Sequence, residues 1–425
     1  MIRSFFLPIL FIAGLFFTAC NQDGNFKTAN AGLNSEEIAA SIPALLDRNE
    51  AIRNGKEWDD VQNFYGTQRQ AIIADKNALE PRLKLAELFI QEARVTGEHP
   101  HYYPAALQML EEVLNRIPQA DFSNLKMEQK DLLFRALAAK ASVQLSLHDF
   151  SNALETATKA VAINPHNAQI YGALVDANVE LGNYDKAVEM ADKMVSIRPD
   201  LRSYSRVAYL REIFGDVNGA AEALEMAIKA GMPGQEATAW ARLTLGNLYR
   251  TYGDWNKAEM QYQMILAERA DYPFAIAALG EVEMHKKNYG KAEASFKKAA
   301  SIIPEVGFYE QLAELYKMTG RTAEYEALVP EILNMMQEDM DKGHNMSLEL
   351  ACLHTDLQPD YDKALQYALR EYQKRPANID VNRLLAKVYA GKKDVAKAKA
   401  HIAKAAVTRS KHPELLELKK MMDAG

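Results

Sequence analysis

Cysteine occurs only twice in this 425-residue chain, at Cys20 and Cys352, so no disulfide framework can hold the fold together. Cys352 stands among Leu348, Leu350, Ala351 and Leu353 and reads as a small buried hydrophobe rather than a reactive thiol. Glycine and proline are sparse, at 21 and 15 residues, which suits a helical body. Positive charge is neither abundant nor clustered. Fifty basic residues stand against 57 acidic ones, interspersed, for a formal charge of −7. Nucleic-acid backbones need clustered Lys and Arg to release counterions, so that class of partner is not expected. Catalytic signatures are missing as well: no Gly-rich phosphate loop, no G-x-S-x-G elbow and no H-E-x-x-H. His99-x-His101, beside Glu98, is read as part of a solvated loop without a closing metal ligand. Cys352 and His354 would lie about 200° apart around a helix axis, too far round to share one metal. Neither an enzyme nor a bound cofactor or metal is expected.

The chain does have a period. Phe150 is matched by Tyr184, Ala153 by Ala187 and Pro165 by Pro199, each pair 34 positions apart. Trp255 and Ala258 are matched by Tyr289 and Ala292, and Tyr361 and Ala364 by Val395 and Ala398. A fixed period of this length predicts stacked helical hairpins that offer surface rather than a catalytic cleft. In 168–199, Leu174, Val175, Asn178 and Leu181 recur at helical spacing, and Gly182-Asn183 breaks the helix. Tyr184, Ala187, Ala191 and Met194 then form the stripe of a second helix, which Pro199 ends.

This pattern resembles the tetratricopeptide repeat. Leu245, Gly246, Tyr249, Gly253, Trp255, Ala258 and Tyr262 carry the resemblance at 240–273, and Leu279, Gly280, Tyr289, Ala292, Phe296, Ala299 and Pro304 at 274–304. It implies an all-α, right-handed superhelical solenoid of about nine to ten helix-turn-helix units. The expected layout is a degenerate N-terminal helix pair at 36–77 acting as a cap, a repeat array over 78–415 and a C-terminal tail at 416–425. The unit at 79–118 is expected to carry extra residues in its turn, and 306–342 to depart from the pattern.

The N-terminus reads differently. Arg3 precedes an apolar run from Ser4 to Phe17, too short to span a bilayer comfortably. Phe17-Thr18-Ala19-Cys20 resembles a bacterial lipobox, which implies a signal peptide at 1–19, cleavage before Cys20, and acylation (palmitate-type lipid) of Cys20. An ordinary secretory signal and an uncleaved anchor remain alternatives. Asn21 in place of Asp favours the outer membrane, and residues 20–35 read as a flexible tether.

The resemblance places the first helix of each unit on the concave wall. Register then nominates Asp176, Arg202, Ser205, Tyr209, Glu212, Trp240, Asn247, Arg250, Phe274 and Glu281 as a partner-binding groove. Trp, Tyr and Arg bury much area at small entropic cost, so their presence there favours docking. Packing of Trp240 and Phe274 as core between units is the competing reading. The chain is thus expected to be an exported, lipid-anchored scaffold holding a protein or peptide partner in a bacterial cell-envelope assembly. Its membrane contact would be through lipid, with no small-molecule substrate. A module associated with envelope polysaccharide is the alternative.

Overall fold

The computed structural model describes residues 34–424 apart from 54, 120 and 121. The expected signal peptide, Cys20 and almost all of the tether lie outside the described residues. Every regular element among those described is helical, and they follow one another as antiparallel hairpins, in agreement with the expected all-α repeat fold.

Most hairpin turns are made by the same local chemistry. The first helix ends on a residue with left-handed backbone: Gly182 (φ 80°), Gly215 (φ 78°), Gly253 (φ 90°) or Gly320 (φ 72°), with His148, Lys287 and Lys393 in the equivalent places. The next amide then bonds back to the last helical turn, as Asn183 N to Asn178 O at 2.7 Å and Asp254 N to Tyr249 O at 2.8 Å. The residue giving that amide also starts the second helix. The carboxylates of Asp216, Asp254, Asp360 and Asp394 accept from the amide three residues on, at 3.0 to 3.1 Å. A cap of this kind contributes about 1 kcal/mol.

The two helices of a hairpin then pack face to face around one fixed contact. A Cβ placed on Gly246 would stand 2.4 Å from the Tyr262 ring, and one on Gly280 2.5 Å from the Phe296 ring. Tyr262 and Phe296 are fully buried. Other hairpins fill the same space with other pairs: Val175 with Ala191, Ala208 with Leu224, Ala386 with Ile402, and Cys352 with Ala368. Glycine against a ring is the tightest of these arrangements. Cys352 is therefore a packing residue, and burial pushes its thiol well above the usual range.

The described residues divide into two compact units. One comprises 34–165 with 338–344. Its hairpins are Glu80–Thr96 with His99–Leu114, and Met127–Ser146 with Phe150–Ile163, preceded by the helices Ser35–Ser41 and Gly55–Ala74. The expected long turn near His99 is not a loop. Gly97 ends one helix (φ 72°), and the next begins at His99 with Pro100 in its first turn, where the missing amide costs nothing. His101 bonds Ala44 O at 2.7 Å, so it is a structural contact. Burial lowers His99 to about 4. Buried Arg48 fastens the segment 42–53, with Nε and Nη2 donating to the two oxygens of Glu92 at 2.8 and 2.6 Å, and its guanidinium lies over Trp58.

The other unit holds 166–337 and 345–424. Its hairpins are Ala168–Glu180 with Tyr184–Ile197, Leu201–Ile213 with Val217–Ala230, Glu236–Thr251 with Trp255–Glu268, and Pro273–His285 with Tyr289–Ile302. Val306–Met318 with Thr322–Asp341 follows, then Ser347–Cys352 with Tyr361–Lys374, and Ile379–Gly391 with Val395–Ala405. Ser347–Cys352 runs on into a π-helical turn, Leu353–Leu357, which carries His354 stacked on Tyr367. The expected tail at 416–425 is instead the bulk of a last helix, Pro413–Ala424. Its Leu415 and Leu418 close the apolar face left by Ala386, Ile402 and Ala405.

The small-against-large contact gives a prediction with two signs. Alanine is normally the better helix residue by up to about 1 kcal/mol. At Gly280 the added methyl meets Phe296, so Gly280→Ala lowers stability by about 1–3 kcal/mol. Gly290→Ala, with nothing within 4 Å, leaves it unchanged or raises it slightly. Urea unfolding of both variants checks this, and equal effects would remove the packing argument.

Candidate functional site

All ten nominated residues lie in the second unit, on the first helices of four successive hairpins. The structure ties most of them to one another or to their neighbours. Asp176 accepts from Arg206 of the next hairpin, Nε to Oδ1 at 2.9 Å and Nη2 to Oδ2 at 2.5 Å. Ser205 Oγ donates to Leu201 O at 2.8 Å within its own helix. Asn247 Oδ1 accepts from the buried Tyr262 hydroxyl at 2.8 Å. Arg250, 9% exposed, forms an ion pair with Glu281 one hairpin further on. Trp240 meets Phe274 edge-on, at 5.6 Å and 88°, and Phe274 meets Phe308 in the same manner at 5.6 Å. Tyr209 packs half-buried against the cluster of Val175, Val179, Leu210 and Ile379. Arg202 is the exposed member of the set.

Consecutive first helices are therefore joined along this face by alternating ion pairs and an aromatic ladder. Trp240 and Phe274 are half-buried partners of the packing between hairpins rather than fully open rings. The reason is geometric: the same register position on neighbouring hairpins brings large side chains side by side, and edge-to-face contact is their favoured arrangement.

The face continues into residues that sequence reading did not nominate. Glu310 and Glu314, then Glu349 and Asp356, then Asp380, Arg383 and Lys387, extend it through the later hairpins. Lys387 Nζ bridges Asp356 at 2.7 Å and Glu414 at 2.7 Å, and Arg383 holds Asp380 at 2.5 Å and Glu414 at 3.1 Å. The register of Glu281 could have found Glu314, which follows it at nearly the repeat spacing, but 306–342 lacks the small residue at Tyr325 that marks the phase. Burial raises Glu310 to about 8, with Glu349, Glu305, Glu314 and Asp356 adding to the shift. Glu212 is raised to about 7 by burial and by Asp380, partly offset by the Tyr252 hydroxyl. Among the described residues no three His, Cys, Asp or Glu side chains are arranged to hold a metal. No described helix is long and apolar enough to cross a membrane.

Residues 144–212 and 275–306 each match a tetratricopeptide repeat family profile. Both stretches are tetratricopeptide repeats. Over 200 residues the chain is 27% identical to the small glutamine-rich tetratricopeptide repeat-containing protein 2 of Saccharomyces cerevisiae, covering 44% of this chain and 54% of that one. Over 76 residues it is 34% identical to the protein SGT1 homolog of Oryza sativa subsp. japonica, covering 18% and 20%. The chain thus spans about half the length of the yeast relative and a fifth of the rice one. Among solved structures, it is similar to a tetratricopeptide repeat protein from Parabacteroides merdae at 18% identity and TM-score 0.37, covering 68% of this chain and 99% of that one. It is also similar to PilW, a type IV pilus biogenesis factor, at 18% identity and TM-score 0.39, covering 47% and 92%. These likenesses concern the repeat fold.

The half-buried carboxyls make stability depend on pH. Glu310 and Glu212 have folded values above those of the unfolded chain, so their stabilising contribution is full below the ordinary carboxylate range. It is lost as pH rises through about 7 to 8. Urea midpoints should therefore fall between about pH 5 and 9, and Glu310→Gln should flatten that fall. An identical pH profile in the variant would show that Glu310 ionises without cost.

Proposed function

We propose that this chain is a tetratricopeptide scaffold that docks a protein segment along the first-helix face of its second unit, tethered to a bacterial envelope membrane through lipid on Cys20. The observation that carries the docking reading is the alignment of Arg202, Tyr209, Trp240 and Phe274 along one continuous face of successive hairpins. Such a face suits an extended or helical protein segment, because each hairpin adds one modest contact in a fixed register. Rigidity is supplied beforehand by the Asp176–Arg206 and Arg250–Glu281 pairs, so little ordering remains to be done on binding. Polysaccharide is the weaker reading: it calls for an open aromatic ring face, and at Trp240 the ring is engaged with Phe274.

The membrane part rests on Arg3, the apolar run to Phe17 and Phe17-Thr18-Ala19-Cys20. Several acyl chains give firm anchoring, at about 0.8 kcal/mol for each buried methylene. With Asn21 next to the cysteine, the outer membrane is the proposed address.

Two measurements separate the parts. Cys20→Ser should move the protein from the membrane to the soluble fraction of cells, and unchanged fractionation would remove the lipid anchor. Arg202→Ala, Trp240→Ala and Arg250→Ala together should abolish partner capture from solubilised membranes while far-ultraviolet circular dichroism stays helical. Capture at the original level would place docking elsewhere on the molecule.

A further inference from the structure

The second unit touches itself at a great distance in sequence. Glu180, at the end of the first helix of its first hairpin, forms an ion pair with Arg375, 195 residues away, and both side chains are almost fully buried. Arg375 Nε also donates to Glu371 at 2.7 Å. Burial pulls the Arg375 guanidinium down, but Glu180 and Glu371 more than offset it, so it stays charged. Asn378 Nδ2 donates to Glu180 O at 3.0 Å, and Ile379 N donates to the Tyr184 hydroxyl at 2.8 Å. The backbones abut: a Cβ on Gly182 would lie 2.5 Å from the Ala377 carbonyl carbon. One hairpin further on, a Cβ on Gly215 would lie 2.7 Å from Arg409 O.

The contact thus recurs with the register of the array. The first hairpin's turn meets the loop at 375–379, and the second hairpin's turn meets the loop at 409–411. That is the pattern of a coil resting on its own next turn. The turn glycines Gly253 and Gly320 share the positive φ but have nothing within 4 Å, so the close approach belongs to Gly182 and Gly215 alone among these four.

The seam joins a small apolar contact to a buried polar one. Ile379 adds an apolar contact to Val175, Val179, Tyr184, Leu210 and Ile213, and the remainder is ion pair, amide and backbone. A buried ion pair fixes geometry more than it adds net stability, and polar contacts of limited area separate more readily than a packed core. The helix behind the seam, Ile379–Gly391, brings Asp380 and Arg383 to bear electrostatically on Glu212, and Asp380 on Tyr209. At its start, Ile379 packs in one cluster with Leu210, Ile213 and the half-buried Tyr209, beside the nominated docking face.

We propose that this seam is a gate. Closed, with Arg375 on Glu180, it shields the inner face of Leu201–Ile213; parted, it admits a chain segment to Tyr209 and Glu212. The gate deepens the docking reading, yet the seam parts or holds whether or not a partner binds. Failure of the two ideas is therefore distinguishable.

Hydrogen exchange on the unaltered full chain tests it first. The amides of Ile379 and its neighbours should exchange through a partial opening, at least about tenfold faster than amides at the centre of Ala168–Glu180. Exchange of both at one common rate, that of global unfolding, overturns the gate. Glu180→Ala with Asn378→Ala should then enlarge the radius of gyration and speed bulky maleimide labelling of a Ser205→Cys probe, with helicity retained. A folded double variant with unchanged radius and labelling overturns it equally.

Discussion

Everything in this fold depends on how closely the two helices of each hairpin can approach at one fixed point. Where the first helix has glycine, the second places a fully buried ring against it, Tyr262 on Gly246 and Phe296 on Gly280. Where the first helix has valine, alanine or cysteine, the second places alanine, leucine or isoleucine in the same apolar cluster. At Gly246 and Gly280 the contact leaves no room for even one added methyl. Because each hairpin buries its apolar stripe mainly against its neighbours, the chain needs no single large core.

Repetition also explains why the first-helix face is prepared and not loose. Hairpins held at constant pitch bring equivalent side chains into repeated contact, and the contacts that result are pairwise: Arg206 with Asp176, Arg250 with Glu281, Trp240 with Phe274. Polar groups drawn out of water at this density must be paired or neutral. The arginines are paired. Glu310, ringed by other acids, and Glu212 are driven toward the neutral form.

The period and its turn residues made the hairpins legible in sequence. Gly182-Asn183, Gly215-Asp216 and Gly253-Asp254 write the left-handed stop and the next cap side by side. The same job done by His148, Lys287 and Lys393 is not legible, because only the fold shows that these residues take a positive φ. At His99 the sequence suggested a loop; Pro100 in a first helical turn was the signal for the opposite. The helix at Pro413–Ala424 was hidden because a lone helix has no partner to complete a repeat. For the candidate site, register placed the ten residues on one face, but pairing could not be foreseen. Whether Asn247 faces outward or accepts from Tyr262 depends on the approach of two helices by fractions of an ångström. The Glu180–Arg375 contact, 195 residues apart, is beyond any local pattern.

The central claim is that the first-helix face of the second unit, and not its second-helix face, meets the partner. Site-specific photo-crosslinking in intact cells addresses it most directly, with the probe at Ser205 on the first-helix face or at Lys298 on the exposed side of a second helix. The account predicts a discrete protein adduct from Ser205 and none of the same mass from Lys298. The same adduct from both positions, or from Lys298 alone, would contradict it.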